Sequence, residues 1–468
     1  MSRRLLLKDL GLTPRDLPSH FFLCGATGVG KTSVLRLLLA AFIEWVAPGA
    51  IHGCVKADEA DWICDIVTQS RMKNRLLRLV PGQFTFNVAA YVCGLQGGSP
   101  ASLARYLIRL SEQLKRQKGP DGGESFWKGL FFDFLHFSCI IAWIAKGKAM
   151  TLEHVHQIIT SSPSSAQDAT SPEFLKSHCW LMLKEAERNA KTPAEQRSLD
   201  RGAEFFLSIQ IGLGSKARSA GVQECSNILG FFLLSPFYET FCSPTSSFVP
   251  ELALNQVYIV LDAPILVYQE AGLVCQSLIT MLTIDAALRR KSPKPYVLIV
   301  RDEVQMLVSD PLYETMVHSV ARSHGLSFWS AVQNLPLLIS AFGGDSRAET
   351  QMKSLLGNYV TKFVLANGCV DVTNRFFSTM FGQYKEQLVN LSQQQPQREQ
   401  QGILDSIFGT QPFNFGVSES YHDRVTPDRF LHLKRGGPPN FAIEAFMSQG
   451  GRIFENNLPF KLVTFHQD

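Results

Sequence analysis

The chain has 468 residues, 45% of them hydrophobic and 18% charged, with a net charge of +4. That length allows two or three domains around a large core, and the composition excludes a disordered polymer. So mild a positive balance also excludes a basic nucleic-acid tail, so any binding to DNA would have to come from local patches or from repetition in an oligomer. The ten cysteines are scattered singly with no Cys-x-x-Cys pair, which argues against a disulfide scaffold or a zinc ribbon and fits a reducing cytosol.

In chain order, the first element is a short apolar run, FFLC at 21–24, which reads as a strand feeding a turn. The turn is Gly25, Ala26, Thr27, Gly28, Val29, Gly30, Lys31 and Thr32, the eight-residue phosphate cradle of the P-loop. Its glycines let successive backbone N–H groups converge on one anion. Lys31 is expected to reach the β- and γ-phosphates of ATP, and Thr32 to place its hydroxyl on Mg2+. The run SVLRLLLAAFIEWV supplies a helix whose positive end faces the phosphates. Strand-like AIHGCV and RLLRLV follow, completing a first part of the nucleotide-binding domain over residues 1–93.

From 94 to 248 the texture changes to helix formers punctuated by QGGSP, KGPDGG and TSSPSS, which predicts an inserted all-α domain. Within it, LFFDFLHFSCIIAWIA at 130–145 is the nearest approach to a membrane span. It carries Asp133 and His136 and falls short of the ~20 apolar residues a span needs, so a buried helix and no stable membrane span are expected. From 249 to 468 strands and helices alternate again: QVYIVLDA, the helix GLVCQSLITMLTIDAALRR, then YVLIVRDE, LSFWSAV and YVTKFVLAN. That alternation predicts an α/β fold, a RecA-like P-loop NTPase with a mainly parallel central sheet. A Gln-rich stretch, SQQQPQREQQ, predicts a flexible loop near 385–425. The closing RFLHLKRGGPPNFAIEAF returns to strand and turn texture.

A P-loop needs a metal-holding carboxylate at the end of a neighbouring strand, and YVLIVRDE offers Asp302 for Mg2+ and Glu303 to orient or deprotonate a water. Gln333, at the tip of LSFWSAV, is placed to sense the γ-phosphate. Arg322, near a helix end, reads from spacing alone as a solvated charge. In trans on a neighbour's phosphates, an arginine can raise hydrolysis by roughly 10³–10⁵. His154, His156 and His324 have no ligand set of metal spacing around them and read as structural.

Together these segments resemble the TraG/TraD-type coupling ATPases of conjugation and type IV secretion, in the FtsK/HerA superfamily. The likeness runs through GATGVGKT, KADEADW at 56–62, RLVPGQFTFN ending in Phe86-Asn87, the helical insertion, VYIVLDAP, Asp302-Glu303 and RSHGLSFWSAVQNLPLLISAFG. It continues through LLGNYVTKFVLANGCVDVTNRFFSTMFG and RVTPDRFLHLKRGG. The resemblance implies a trans arginine finger for Arg322 and a sensor role for Gln333. Coupling proteins usually begin with two transmembrane helices, which this sequence is expected to lack, and Arg301 stands in a slot that is commonly apolar or acidic in the family.

What the resemblance implies is an ATP-hydrolysing ring motor, a homo-hexamer, that couples or translocates DNA or a protein–DNA conjugate. Single-stranded DNA is the first candidate substrate and double-stranded DNA the second; a relaxase or secretion-system proteins are the expected partners. The expected location is cytoplasmic, with peripheral docking at the inner membrane as the variant. The rival readings are an ATP-controlled recruitment receptor that does not translocate, and a HerA-like motor paired with a nuclease in defence or repair. No Asn-Lys-x-Asp base-reading motif and no Leu-Ser-Gly-Gly-Gln signature occurs in the sequence, which leaves GTPase and transporter readings weak.

Overall fold

The computed structural model describes residues 7–118, 124–308, 310–393, 413–439 and 441–467. The apolar runs read from the sequence become β1 (Phe21–Cys24), β2 (Gly49–Gly53), β3 (Leu76–Leu79), β4 (Tyr258–Leu261), β5 (Val297–Arg301), β6 (Leu326–Val332) and β7 (Thr361–Leu365). These seven pair in parallel. Every residue of β1, β2, β4, β5 and β6 is buried, as parallel strands covered by helices on both faces require.

The sheet continues past β7 through an antiparallel pair. β8 (Gln383–Gln393) and β9 (Phe413–Asp423) precede that pair in the chain. The pair itself is β10 (Ala442–Gln449) and β11 (Phe460–His466), giving nine strands in the order β11–β10–β7–β1–β6–β5–β2–β4–β3. The mainly parallel sheet with an inserted helical domain is thus the fold expected from the sequence.

Between β3 and β4 the described residues carry no strand. Six of the helices there are Pro100–Lys118, Glu124–Lys146, Leu152–Thr160, His178–Asn189, Pro193–Glu204 and Ser215–Leu233. Their core is aromatic: Phe134 meets Phe205 and Phe206 edge-on, and Phe137 stacks on Phe205. The two chain crossings into this unit are stitched together. The buried Asn87 side chain caps the helix Val88–Gly94 through the Ala90 N–H and donates toward the carbonyls of Lys148 and Pro244. Beside it the Asn87 N–H donates to Ser246, and the Ser247 N–H to the Thr85 carbonyl.

Two expectations are corrected here. The apolar helix of the insertion is longer than the window read from sequence, and two stretches, Lys128–Ala149 and Ile265–Arg289, are long and apolar enough to cross a membrane by length and composition. Of their most apolar windows, 56% and 83% is buried inside the protein, so packing accounts for much of that apolarity. Of the stretch 385–425 expected to be a loop, the described parts form an antiparallel ribbon, with β8 and β9 paired from Gln383↔Asp423 to Gln393↔Phe413. The Gln-rich residues 394–401 lie outside the described residues, as do 119–123 of KGPDGG. The closing run read as strand and turn texture contributes β10, and β11 pairs antiparallel with it.

Candidate nucleotide site

Parallel pairing sets the site's level on the sheet. Cys24 of β1 lies opposite Val332 of β6 and Val364 of β7, while Arg301 of β5 lies opposite Ser330 of β6 and Gly53 of β2. The next residues along these strands are Gly25, Asp302, Gln333 and Cys54, so the phosphate turn and the polar strand tips emerge along one edge. That edge is the carboxyl end of the strands, where open α/β sheets bind ligands.

The turn has the backbone the motif demands. Gly28 has φ +76° and Gly30 φ +96°, both left-handed. A Cβ on Gly30 would also stand 2.3 Å from Ile443 Cδ1, so only glycine fits there. The helix Lys31–Val46 then starts without a side-chain cap, leaving its first N–H groups for an anion. Lys31 is buried, its ammonium 3.4 Å from the Ala26 carbonyl. The Thr32 hydroxyl donates to Asp302 Oδ2 at 2.9 Å.

Asp302 is fully buried, and burial pushes its carboxyl above its ordinary range while the Thr32 hydroxyl pulls it down. A hydroxyl and a carboxylate oxygen side by side in a desolvated pocket form a hard-oxygen donor pair suited to Mg2+. The cation would take its remaining ligands from phosphate and water. Among the described residues no group of three or more His, Cys, Asp or Glu side chains forms a dedicated metal cage. His154 instead accepts from the Thr151 N–H at 3.0 Å as part of a helix capping box.

Glu303 adopts φ +57° and ψ +55°, a left-handed conformation that costs a non-glycine residue of order 1 kcal/mol or more and persists where the surroundings over-determine it. Its carboxylate accepts from Gln305 Nε2 at 2.9 Å and Gln333 Nε2 at 3.3 Å, with Lys56 Nζ at 4.0 Å. The Gln333 carbonyl is in turn held by Asn367 Nδ2 at 2.8 Å. The structure therefore brings Lys31, Thr32, Asp302, Glu303 and Gln333 together. It leaves Arg322 exposed in a helical turn just before β6. Seven residues of β6 separate that turn from Gln333, about 20 Å at the rise of an extended strand. Arg322 cannot reach the pocket of its own chain.

Several residues of the site were not assigned from sequence. Lys56 and Glu59 lie within KADEADW, where nothing in the local pattern assigns either a role. Glu59 is buried, accepts from the Val55 N–H at 2.6 Å, and is pushed up to about 8 by burial and then by the Asp302 carboxylate. Gln305 carries no motif signal. Arg435, Gly436, Gly437 and Gln467 line the same cavity of about 370 Å³ as Thr27, Lys31 and Glu303. Nothing in local sequence announces that contact, because the segment is 400 residues from the P-loop and arrives by strand pairing.

A cavity of this size, floored by a glycine turn and a helix start, lined by Thr32 and Glu303 and backed by the buried Asp302 that Thr32 meets, defines a P-loop nucleotide-binding protein with an all-α insertion. Residues 296–425 match the family described as the TraM recognition site of TraD and TraG. Among solved structures, the chain is similar to the bacterial conjugative coupling protein TrwBdeltaN70 in its unbound monoclinic form, with 14% identity and a TM-score of 0.57 over 97% of this chain and 86% of that one. It is similar to TrwB in complex with ADP and Mg2+ at 15% identity and TM-score 0.56, covering 98% and 87%. TrwB with the non-hydrolysable ATP analogue ADPNP gives 15% and 0.55, covering 98% and 88%. No curated protein sequence matches the chain. The likeness to the conjugative coupling-protein ATPases of type IV secretion, first carried by motifs, is thus matched by a family segment and by the fold.

Proposed function

We propose that the chain is an ATP-hydrolysing ring motor that couples or moves DNA, or a protein–DNA conjugate. The observation that carries this reading is the constellation at the strand tips: Thr32 on Asp302 at 2.9 Å, with Glu303 gripped by Gln333 and Gln305. In this mechanism the turn's N–H groups and Lys31 bind and orient the polyphosphate of ATP. Thr32 and Asp302 would hold Mg2+, which supplies charge neutralisation between the phosphates when bound. Glu303 accepts the proton of the attacking water, and its two glutamine partners hold the carboxylate oriented. Gln333 links that carboxylate to Asn367 and so to the loop after β7.

Arg322, too far to act at home, serves a neighbour's site, so turnover depends on assembly into a ring, taken as six-fold. A ring also multiplies any basic side chain facing its channel, which offsets the weak net charge. A test is ATP turnover across a protein-concentration series, with and without single- and double-stranded DNA. Turnover that rises with both concentration and DNA supports the motor; slow turnover indifferent to both overturns it.

The second reading is an ATP-controlled recruitment receptor without translocation. It is favoured by one observation, that residues 296–425 match a segment described by recognition of a partner protein. DNA-independent turnover together with nucleotide-dependent capture of a relaxase or secretion-system protein would select it.

A further inference from the structure

The antiparallel end of the sheet has a consequence for the pocket. Because β10 runs against β7 and β11 runs back along β10, the start of β10 and the end of β11 both return to the edge where the P-loop emerges, with Ala442 opposite His466. The segment before β10 is tied to that edge. Arg435 bridges to Ile443, and the Gly436 N–H donates to the Ala442 carbonyl at 3.0 Å. The residue after β11, Gln467, uses both ends of its amide. Its Oε1 accepts from the Gly437 N–H at 2.6 Å, and its Nε2 donates to Ser33 Oγ, next to Thr32, at 3.2 Å.

Gly436 and Gly437 have φ of +77° and +71°, and a Cβ on Gly436 would meet Gln467 Oε1 at 2.7 Å and Ile443 Cγ1 at 2.9 Å. The turn is therefore built for glycine, and it brings Arg435 into the lining of the phosphate cavity. The preceding Lys434 is paired with Glu444 at 3.1 Å. Arg435 has no carboxylate within ion-pairing distance among the described residues. An exposed arginine that lines a cavity together with Lys31, Lys56 and Glu303, and whose guanidinium has no carboxylate partner of its own, is suited to an anionic ligand.

We infer that Arg435 is a nucleotide-contacting residue in cis, its guanidinium binding the polyphosphate on the side of Ser33, and that Gln467 is the positioning residue that locks its turn against the P-loop helix. This rests on the proposed nucleoside triphosphatase reading and names a second binding element for it, drawn from the end of the described chain rather than from the P-loop. Charge-assisted hydrogen bonds to phosphate contribute about 1.5–3 kcal/mol, or roughly 10- to 150-fold in affinity.

The experiment is equilibrium binding of a fluorescent ADP and a fluorescent ATP analogue to the whole chain, with Lys31→Ala as the control for the P-loop. Arg435→Ala should raise the Kd for both nucleotides at least tenfold, with Arg435→Lys restoring part of the loss. Gln467→Ala should move Kd the same way by a smaller factor, and in turnover the loss should fall on KM rather than kcat. If Lys31→Ala abolishes binding while Arg435→Ala leaves both Kd values within twofold, the inference is overturned and the nucleotide site stands. If Lys31→Ala itself leaves binding intact, the nucleotide reading fails and this inference with it. Arg435 is exposed, so its replacement leaves the core packing untouched; unchanged circular dichroism checks that.

Discussion

Arg301 is the residue whose removal tests the site's architecture most directly. It ends β5, one position before Asp302, and its guanidinium meets Glu314 on the helix Pro311–Ala321 at 2.9 Å, with side chains only 6% and 2% exposed. That helix runs straight into Arg322. The pair therefore ties the strand that leads into Asp302 to the helix that leads into Arg322. The surroundings are dry and aromatic: Arg301 lies over Phe328 at 5.5 Å, and His318 stacks on the same ring at 3.7 Å. Burial, then the charges of His20 and Arg301, hold His318 far below its usual range, so it is neutral and supplies no compensating charge.

Arg301→Met should accordingly cost about 3–5 kcal/mol, the usual cost of breaking a buried ion pair by removing one partner. Arg301→Met/Glu314→Leu removes both charges and should recover most of that loss, because two desolvated ions become packed apolar side chains. Urea titrations of both variants, followed by circular dichroism and by tryptophan fluorescence, measure the difference. An Arg301→Met protein within 1 kcal/mol of the parent, or a double variant as unstable as the single one, would refute the reasoning.

Three further outcomes are expected. Glu303→Gln should retain nucleotide binding and lose at least 10²-fold in turnover, the usual contribution of a positioned base; undiminished hydrolysis in a steady-state assay removes Glu303 from the mechanism. Arg322→Ala should be inactive alone and regain turnover when mixed with Lys31→Ala subunits, since each supplies what the other lacks; absence of complementation across mixing ratios counts against a trans role. His52, wholly buried against Tyr258, is held down to about 3 by desolvation, so it stays neutral in the fold while the unfolded chain takes its proton below about 6.5. Stability attributable to it is present above that pH and falls on acidification by up to ~1.4 kcal/mol per unit. His52→Phe should make the decline of the denaturation midpoint from pH 6 to 4.5 shallower, whereas Glu59, raised to about 8, contributes below its unfolded value and loses that contribution as pH rises through 8.

Local pattern carried much of this molecule. A strand of four apolar residues, a glycine turn and a helix encode the phosphate cradle within 26 consecutive residues, because each step depends only on neighbours in the chain. The position of Asp302-Glu303 and Gln333 at the strand tips was legible for the same reason: each follows an apolar run, and runs of that kind end at a sheet edge. The helical insertion was legible from the shift in composition between 94 and 248. What sequence could not give was whatever depends on which strands lie side by side. Only the tertiary structure joins Thr32 to Asp302 across 270 positions, pairs the odd Arg301 with Glu314, and turns 383–393 and 413–423 into a ribbon. Only the reversal of direction at β10 and β11 delivers Arg435 and Gln467 to the P-loop, since antiparallel pairing returns a distant segment to the edge from which the turn emerges, and no local periodicity records where a strand finds its partner.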